Sequence, residues 1–273
     1  MSDAPVPAAP TTGDATGPQE FTRAWQEWRA GWEQWLTQPL GWLAATSHEW
    51  LDDTPRTYPG LPGLWWQHGD AVHIDPQGTP MAFDGETFTT ERRLALADAP
   101  DDVRVTVGEL EVGITYRGTY LIVTYDPGSP ARHDFDGVPA YEPDRRWVIP
   151  GRLEQFDTPT SITLDSVGWG THTHDTPGLV RFEHEGSDHT LQVLSSHGML
   201  LTVFTDATSG VTTYGAGRSL DIPAPDADGN VTLDFNRTVN LPCAFSEHFP
   251  ICPLPPSSNR LPFAIEAGEK TPH

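Results

Sequence analysis

The residue types best suited to chemistry crowd the last quarter of the chain. Gly215-Ala216-Gly217 strips side chains away just before Arg218, an arrangement that lets a carboxylate or phosphate approach backbone amides and a two-pronged donor together. A second reading is open: the glycines shape a bend, and Arg218 is buried in an ion pair with Asp234 or Asp206 that holds the last strands in register. On an extended strand Asp234 and Asn236 point to the same face, while Phe235 packs opposite. A carboxylate beside an arginine is held ionised, so Asp234 suits a hydrogen-bond acceptor or metal ligand better than a general acid. Asn236, Asn240 and Asn259 border a segment punctuated by Pro242, Pro250, Pro253, Pro255 and Pro256. Such a segment has little regular hydrogen bonding, so these amides are also natural partners for its buried backbone groups. Tyr214 and Phe245 offer apolar walls. The candidate ligand-binding set is therefore Tyr214, Arg218, Asp234, Asn236, Asn240, Phe245 and Asn259.

Cys243 and Cys252 are the only cysteines, with His248 between them as C-x4-H-x3-C. Two thiols in this setting suggest a reduced core pair or, where geometry permits, a local crosslink. The spacing is not that of a zinc finger, and no basic neighbour in sequence stabilises a thiolate. His172-Thr173-His174-Asp175 sets two imidazoles on one side of an extended segment. Gly170 and Pro177-Gly178 bound it, which predicts a loop with solvated histidines. No metal site and no cofactor is expected. The nucleophile elbow, the phosphate loop, the H-E-x-x-H pair and the dinucleotide fingerprint are absent from the sequence.

The elements that must position these residues are legible in the periodicity. Phe21, Trp25, Trp28, Trp32, Trp35 and Leu36 recur at steps of three and four, which predicts one helix with an aromatic face, stopped by Pro39. Its other face carries Glu20, Arg23, Gln26, Glu27, Arg29, Glu33 and Gln34. From Leu40 onward the chain reads as short alternating or β-branched runs broken by Gly, Pro and Asp. Examples are 103–107, 110–117, 119–125, 179–185, 189–194 and 199–205. Asp206 to Gly210 is turn chemistry before an extended 211–214. The tight turns at Arg117-Gly118 and 185–188 predict antiparallel hairpins. No strand-helix-strand alternation exists. The expected fold is mainly β, an antiparallel β-sandwich or barrel with one N-terminal amphipathic helix packed on it. Residues 1–18 read as a disordered tail, 19–98 as the helix with a small β region, and 99–273 as the main β domain.

The chain has 273 residues and a formal charge of −22. That field repels nucleic acid and anionic membranes, and no run of about 18 to 20 apolar residues or secretion signal is seen, so a cytoplasmic protein is expected. Lys270 is the only lysine. Adaptation to high salt and a codon bias toward arginine both produce such a balance.

Three segments carry a family resemblance. FTDATSGVTTYGAGRSL at 204–220, DFNRTVNLPCA at 234–244 and CPLPPSSNRL at 252–261 with Ala267-Gly268-Glu269-Lys270 resemble, in order and spacing, the family known as domain of unknown function 1684. The W-R-x-G start at Trp28–Gly31 extends the likeness to roughly residues 20–270. Leu241, Thr238-Val239 and Ser219 depart from the shared pattern but leave its polar residues intact. The resemblance implies a location for the site and no reaction. Three functions stay open. One is a small-molecule binding β-domain with Arg218 as anchor for an anionic group. Another is a hydrolase or isomerase with Asp234 as base and Arg218 stabilising negative charge. The third is a protein-interaction module whose motifs only brace the fold.

Overall fold

The computed structural model describes residues 17–96, 103–168, 170–196 and 198–272. Of the expected tail, 1–18, residues 1–16 lie outside the described residues, and Pro18 is corrected to the first residue of a helix. Helix α1 (Pro18–Leu36) opens the described chain. Ten strands follow: β1 (Ala45–Trp50), β2 (Arg56–Tyr58), β3 (Leu61–His68), β4 (Ala71–Asp75), β5 (Met81–Phe83), β6 (Glu86–Phe88), β7 (Arg92–Ala95), β8 (Val103–Val107), β9 (Leu110–Tyr116) and β10 (Tyr120–Tyr125). The C-terminal half adds β11 (Val148–Asp165), β12 (Thr171–His184), β13 (Ser187–Ser196), β14 (Met199–Phe204), β15 (Arg218–Ile222), β16 (Asn230–Asp234) and β17 (Val239–Asn240). The architecture is mainly antiparallel β with curled sheets and one N-terminal helix.

The chain forms two compact units. One spans Gln34–Phe135 and holds a six-stranded sheet, β1-β10-β9-β8-β5-β6, and a four-stranded sheet, β2-β3-β4-β7. Its core is built by alternation: Val103, Val105 and Val107 are buried on β8 while Arg104 and Thr106 lie between them, and Trp65, Ile74 and Val112 join the same cluster. The division expected near residue 98 falls in 97–102, outside the described residues; β7 and β8 on either side of it belong to this one unit.

The other unit contains residues 17–33 and 136–272 among the described residues. Its seven-stranded sheet runs β16-β11-β12-β13-β14-β15-β17. Val180, Phe182, Leu191, Phe204, Leu233 and Phe235 lie in its core. The β12–β13 hairpin closes at His184 opposite Ser187, with Glu185 and Gly186 at φ of 50° and 74°, the positive values that a two-residue hairpin turn requires. Three local expectations are corrected. The His172–His174 segment is not a loop but part of β12, paired opposite Leu164 and Ile162 of β11. Residues 211–214 are a turn, because the Val211, Thr212 and Thr213 amides all donate back to the Thr208 carbonyl. β16 stops at Asp234, and Phe235–Arg237 is a 3-10 turn, so Asp234 and Asn236 do not share a strand face.

Helix α1 docks on this second unit through its aromatic stripe. Trp28 and Trp32 are buried, and the Trp25 indole N–H donates to the Asn236 carbonyl at 2.8 Å. Arg29 departs from the solvent face expected for it and is buried. Its guanidinium reaches Glu33, the Val138 carbonyl and Glu269.

Candidate functional site

Arg218, at the first position of β15, is sealed within the protein, with 0% of its surface exposed. Its Nη1 donates to the carbonyls of Ala267 at 2.5 Å and Glu269 at 3.0 Å. Its Nη2 donates to the Ile265 carbonyl at 3.0 Å and to Asp206 Oδ2 at 2.7 Å. Three alternate carbonyls of one extended segment are thus gathered by one planar fork, a geometry that only a guanidinium offers. Burial pulls the Arg218 guanidinium below its ordinary value, and the Asp206 carboxylate opposes that pull. Of the two aspartates open as its partner, Asp206 is the one used. The other Asp206 oxygen accepts from the Thr208 amide at 2.6 Å and its hydroxyl at 2.5 Å, so both its oxygens are engaged. The space beside Gly217 is filled by protein: at φ of 103° a Cβ there would stand 2.7 Å from the Phe204 carbonyl oxygen and 2.8 Å from Pro255. Arg218 is therefore not an open anion anchor. It is a tie that holds residues 265–269 against β15.

The remaining predicted residues fall in place around this tie. Asn259, 1% exposed, donates from Nδ2 to the carbonyls of Gln192 and Val203 and accepts the Gln192 amide at 2.8 Å. Asn236 brackets a single residue, accepting the Asp144 amide at 2.8 Å and donating to the Asp144 carbonyl at 3.0 Å. Asn240 donates its side-chain amide to the Lys270 carbonyl at 2.8 Å, and its backbone N–H to Glu269 Oε2 at 2.7 Å. Asp234 accepts from the Asn236 backbone and side-chain amides and from Arg237 Nε at 3.1 Å. Its arginine is thus Arg237 and not Arg218, and burial pushes its carboxyl above the ordinary value against those hydrogen bonds. Arg218 pairs with Asp206 and Asp234 with Arg237. Tyr214 and Phe245 are both half-buried; the Tyr214 hydroxyl donates to the Cys243 carbonyl, and burial raises its pKa.

One further buried group was not anticipated. Glu269 is wholly enclosed, clasped by the Trp32 indole N–H at 2.8 Å, the Asn240 amide and Arg29 at 3.6 Å. Arg29 also donates to the Val138 carbonyl and to Glu33. Burial raises the Glu269 carboxyl above its ordinary value, and the Arg29 charge works against that rise. The available signal was Trp28-Arg29 in the helix together with Glu269-Lys270 at the other end of the chain. Gly268 makes the approach possible: at φ of 71° a Cβ would lie 2.5 Å from the Thr238 carbonyl oxygen.

The ties of Arg218, Asn236 and Asn240 border a cleft of about 750 Å³, lined among others by Phe21, Tyr141, Arg145, Arg146, Glu266 and Lys270. Residues 139–141 run beside 268–270, the Tyr141 amide donating to the Gly268 carbonyl and the Lys270 amide to the Pro139 carbonyl. Lys270 Nζ stands 4.4 Å from the centre of the Tyr141 ring, whose hydroxyl meets Thr212 Oγ1 at 2.6 Å. Among the described residues no carboxylate forms an ion pair with Lys270. Arg146, by contrast, pairs with Asp144 at 3.1 Å and lies 3.9 Å from Glu266, while Arg145 covers the Phe21 ring. Arg145–Trp147 form a 3-10 turn capped by Asp144, the residue that Asn236 brackets. Among the described residues no group of three or more His, Cys, Asp or Glu side chains is gathered for a metal ion, and no helix is long and apolar enough to cross a membrane.

Arg218 with its partners, and the cleft wall apart from Pro18, Phe21 and Thr22 of helix α1, lie within residues 133–270, the stretch matched by the family model described as a protein of unknown function (DUF1684). The chain belongs to this family. The DUF1684 match begins after helix α1, yet that helix supplies Arg29 and Trp32 to the buried Glu269 of the family's A-G-E-K ending. An uncharacterized protein of Haloarcula marismortui, solved by solution NMR, is similar at 33% identity, covering 51% of this chain and 79% of that chain with a TM-score of 0.43. No curated protein matches the chain.

Proposed function

We propose that the C-terminal unit is a small-molecule binding β-domain that takes a ligand bearing a carboxylate or phosphate in the cleft at Lys270. The observation that carries this reading is the state of the chain's only lysine. In a protein of charge −22 its ammonium has no carboxylate partner among the described residues, lies over Tyr141 and lines a cleft. An ammonium in that position keeps donors for an incoming anion, and the tyrosine face beneath it favours the cation without consuming a hydrogen bond. Tyr141 and Phe21 supply apolar wall, and the acids Glu142 and Glu266 accept hydrogen bonds from hydroxyl or amino groups of the same ligand.

Arg218, Asp234, Asn236, Asn240 and Asn259 act in this reading as the scaffold that sets the cleft's shape. Arg218 and Asn240 fix the chain on which Lys270 rides, and Asn236 fixes the turn carrying Arg145 and Arg146. Thermal-shift titration with inorganic phosphate and with citrate tests it. The wild-type chain is expected to melt at a saturably higher temperature with at least one of them, and Lys270→Ala to lose the response while melting normally without ligand. An equal response in Lys270→Ala would overturn the assignment.

A further inference from the structure

Tyr214 rests on the backbone of a second arrangement in the same unit. Cys243 sits in the 3-10 turn Pro242–Ala244 and is half-buried, whereas Cys252 is 2% exposed. The Cys243 backbone N–H donates to Cys252 Sγ at 3.3 Å, which brings the Cys252 sulfur up to residue 243. Both backbones are held. The Cys243 carbonyl accepts the Tyr214 hydroxyl at 3.2 Å, and the Cys252 carbonyl accepts the Val167 amide at 3.0 Å from the turn joining β11 and β12. That turn is itself laid along the loop, with the Gly168 amide on the Pro250 carbonyl and the Leu254 amide on the Asp165 carbonyl. Two thiols on a braced loop, the Cys252 sulfur held against the backbone of Cys243, one thiol reachable and one enclosed, match the layout of an attacking thiol with its resolving partner.

We infer that Cys243 and Cys252 form a reversible dithiol–disulfide couple oxidised by hydroperoxides, with Cys243 as the attacking thiol. Cys243 Sγ, as thiolate, attacks one peroxide oxygen; the O–O bond breaks, the oxygen stays on sulfur as a sulfenic acid, and the other oxygen leaves as water with the thiol proton. Cys252 Sγ then attacks that sulfur, the S–S bond forms as the S–O bond breaks, and the departing hydroxide takes the Cys252 proton as a second water. The two thiols lose two electrons, and hydrogen peroxide is reduced to two waters. The division of labour follows from the environment. The hydrogen bond from Cys252 holds the Cys243 thiol below its ordinary value, and burial holds Cys252 well above.

Hydrogen peroxide added to the reduced full-length chain tests the couple by alkylation, intact mass and peptide mapping. Both thiols are expected to become unreactive together, with the mass lower by two hydrogens, one intramolecular 243–252 crosslink, and full recovery on adding dithiothreitol. In Cys252→Ser the reaction is expected to stop at a sulfenic acid that dimedone traps on Cys243. Should that variant fold poorly, brief peroxide exposure of the wild-type chain with dimedone present is expected to place the adduct on Cys243. Retention of two alkylatable thiols, a crosslink between two chains, a crosslink that dithiothreitol cannot reduce, or a dimedone adduct on Cys252 would each overturn the inference.

Discussion

Arg218 and Lys270 are two cations of one unit, joined through the same stretch of chain, and their surroundings are opposite. Arg218 has four oxygen acceptors and no exposed surface. Lys270 has an aromatic ring beneath it and a cleft in front of it. Arg218 Nη1 holds the Glu269 carbonyl, one residue before Lys270, so the sealed cation sets the position of the open one. The contrast shows that a cluster of polar residue types marks a place where the backbone needs side-chain partners as readily as a place where a ligand binds. The site is found by asking which polar atoms are left over once those partners are assigned.

Removing the sealed cation breaks the contrast most severely. Arg218→Ala leaves Asp206 buried without its charge and three carbonyls without a donor, so a loss of about 3 to 5 kcal/mol is expected in chemical denaturation. Arg218→Lys is expected to recover little of it, because one ammonium cannot reach both sides of the fork. A loss below about 1 kcal/mol in either variant, the range of an ordinary exposed ion pair, would contradict a structural role. Asn236→Ala sharpens the same point on a smaller scale. It strips both partners from Asp144, which is expected to cost about 1 to 3 kcal/mol, and, on the proposed function, it is expected to weaken phosphate binding by loosening the turn that carries Arg145 and Arg146.

Glu269 gives a pH signature. Burial holds its carboxyl above the ordinary 4.5 in the folded chain, so the unfolded chain loses this proton first as pH rises. The group's contribution to stability is then complete below pH 4.5 and is lost as pH climbs through the folded value. Glu269→Gln is expected to remove that slope, and urea denaturation of both proteins from pH 4 upward checks it. A stability difference between them that does not change with pH would count against the buried acid. At the small end, Lys270→Ala is expected to change stability by no more than about 0.5 kcal/mol, as at ordinary surface positions. Salt should separate the two cations further. Molar sodium chloride is expected to weaken the proposed phosphate binding at Lys270 by screening and competition, and to raise the melting temperature by relieving the repulsion of a −22 chain.

Much of the fold was legible in the sequence because its signals are local. The tryptophan spacing of α1, the valine alternation of β8 and the Glu185-Gly186 turn each follow from a period or a backbone angle within a few residues. The pairing of Arg218 was not legible, since Asp206 and Asp234 lie at similar distances along the chain and only the course of residues 265–269 decides between them. The inward turn of Arg29 was hidden for a related reason. It follows Trp28 on the edge of the aromatic stripe, and its partner Glu269 comes from the far end of the chain. The three asparagines were correctly legible as backbone partners, because proline-rich chain advertises its unmet carbonyls and amides. Lys270 stood out only as a number in the composition until Pro139 and Tyr141 were seen beside it.

That solitary lysine also permits the most direct test of the account. Reductive methylation with 13C-formaldehyde labels Lys270 and the chain's α-amino group and preserves the positive charge, so a single dimethyl-lysine resonance reports on the cleft. Titration with inorganic phosphate and with citrate is predicted to move that resonance along a saturable curve for at least one of them, while the Arg218 frame and the fold stay unchanged. A lysine signal indifferent to both anions, in protein that remains folded, would contradict the claim that this cation is the one the fold holds open for a ligand.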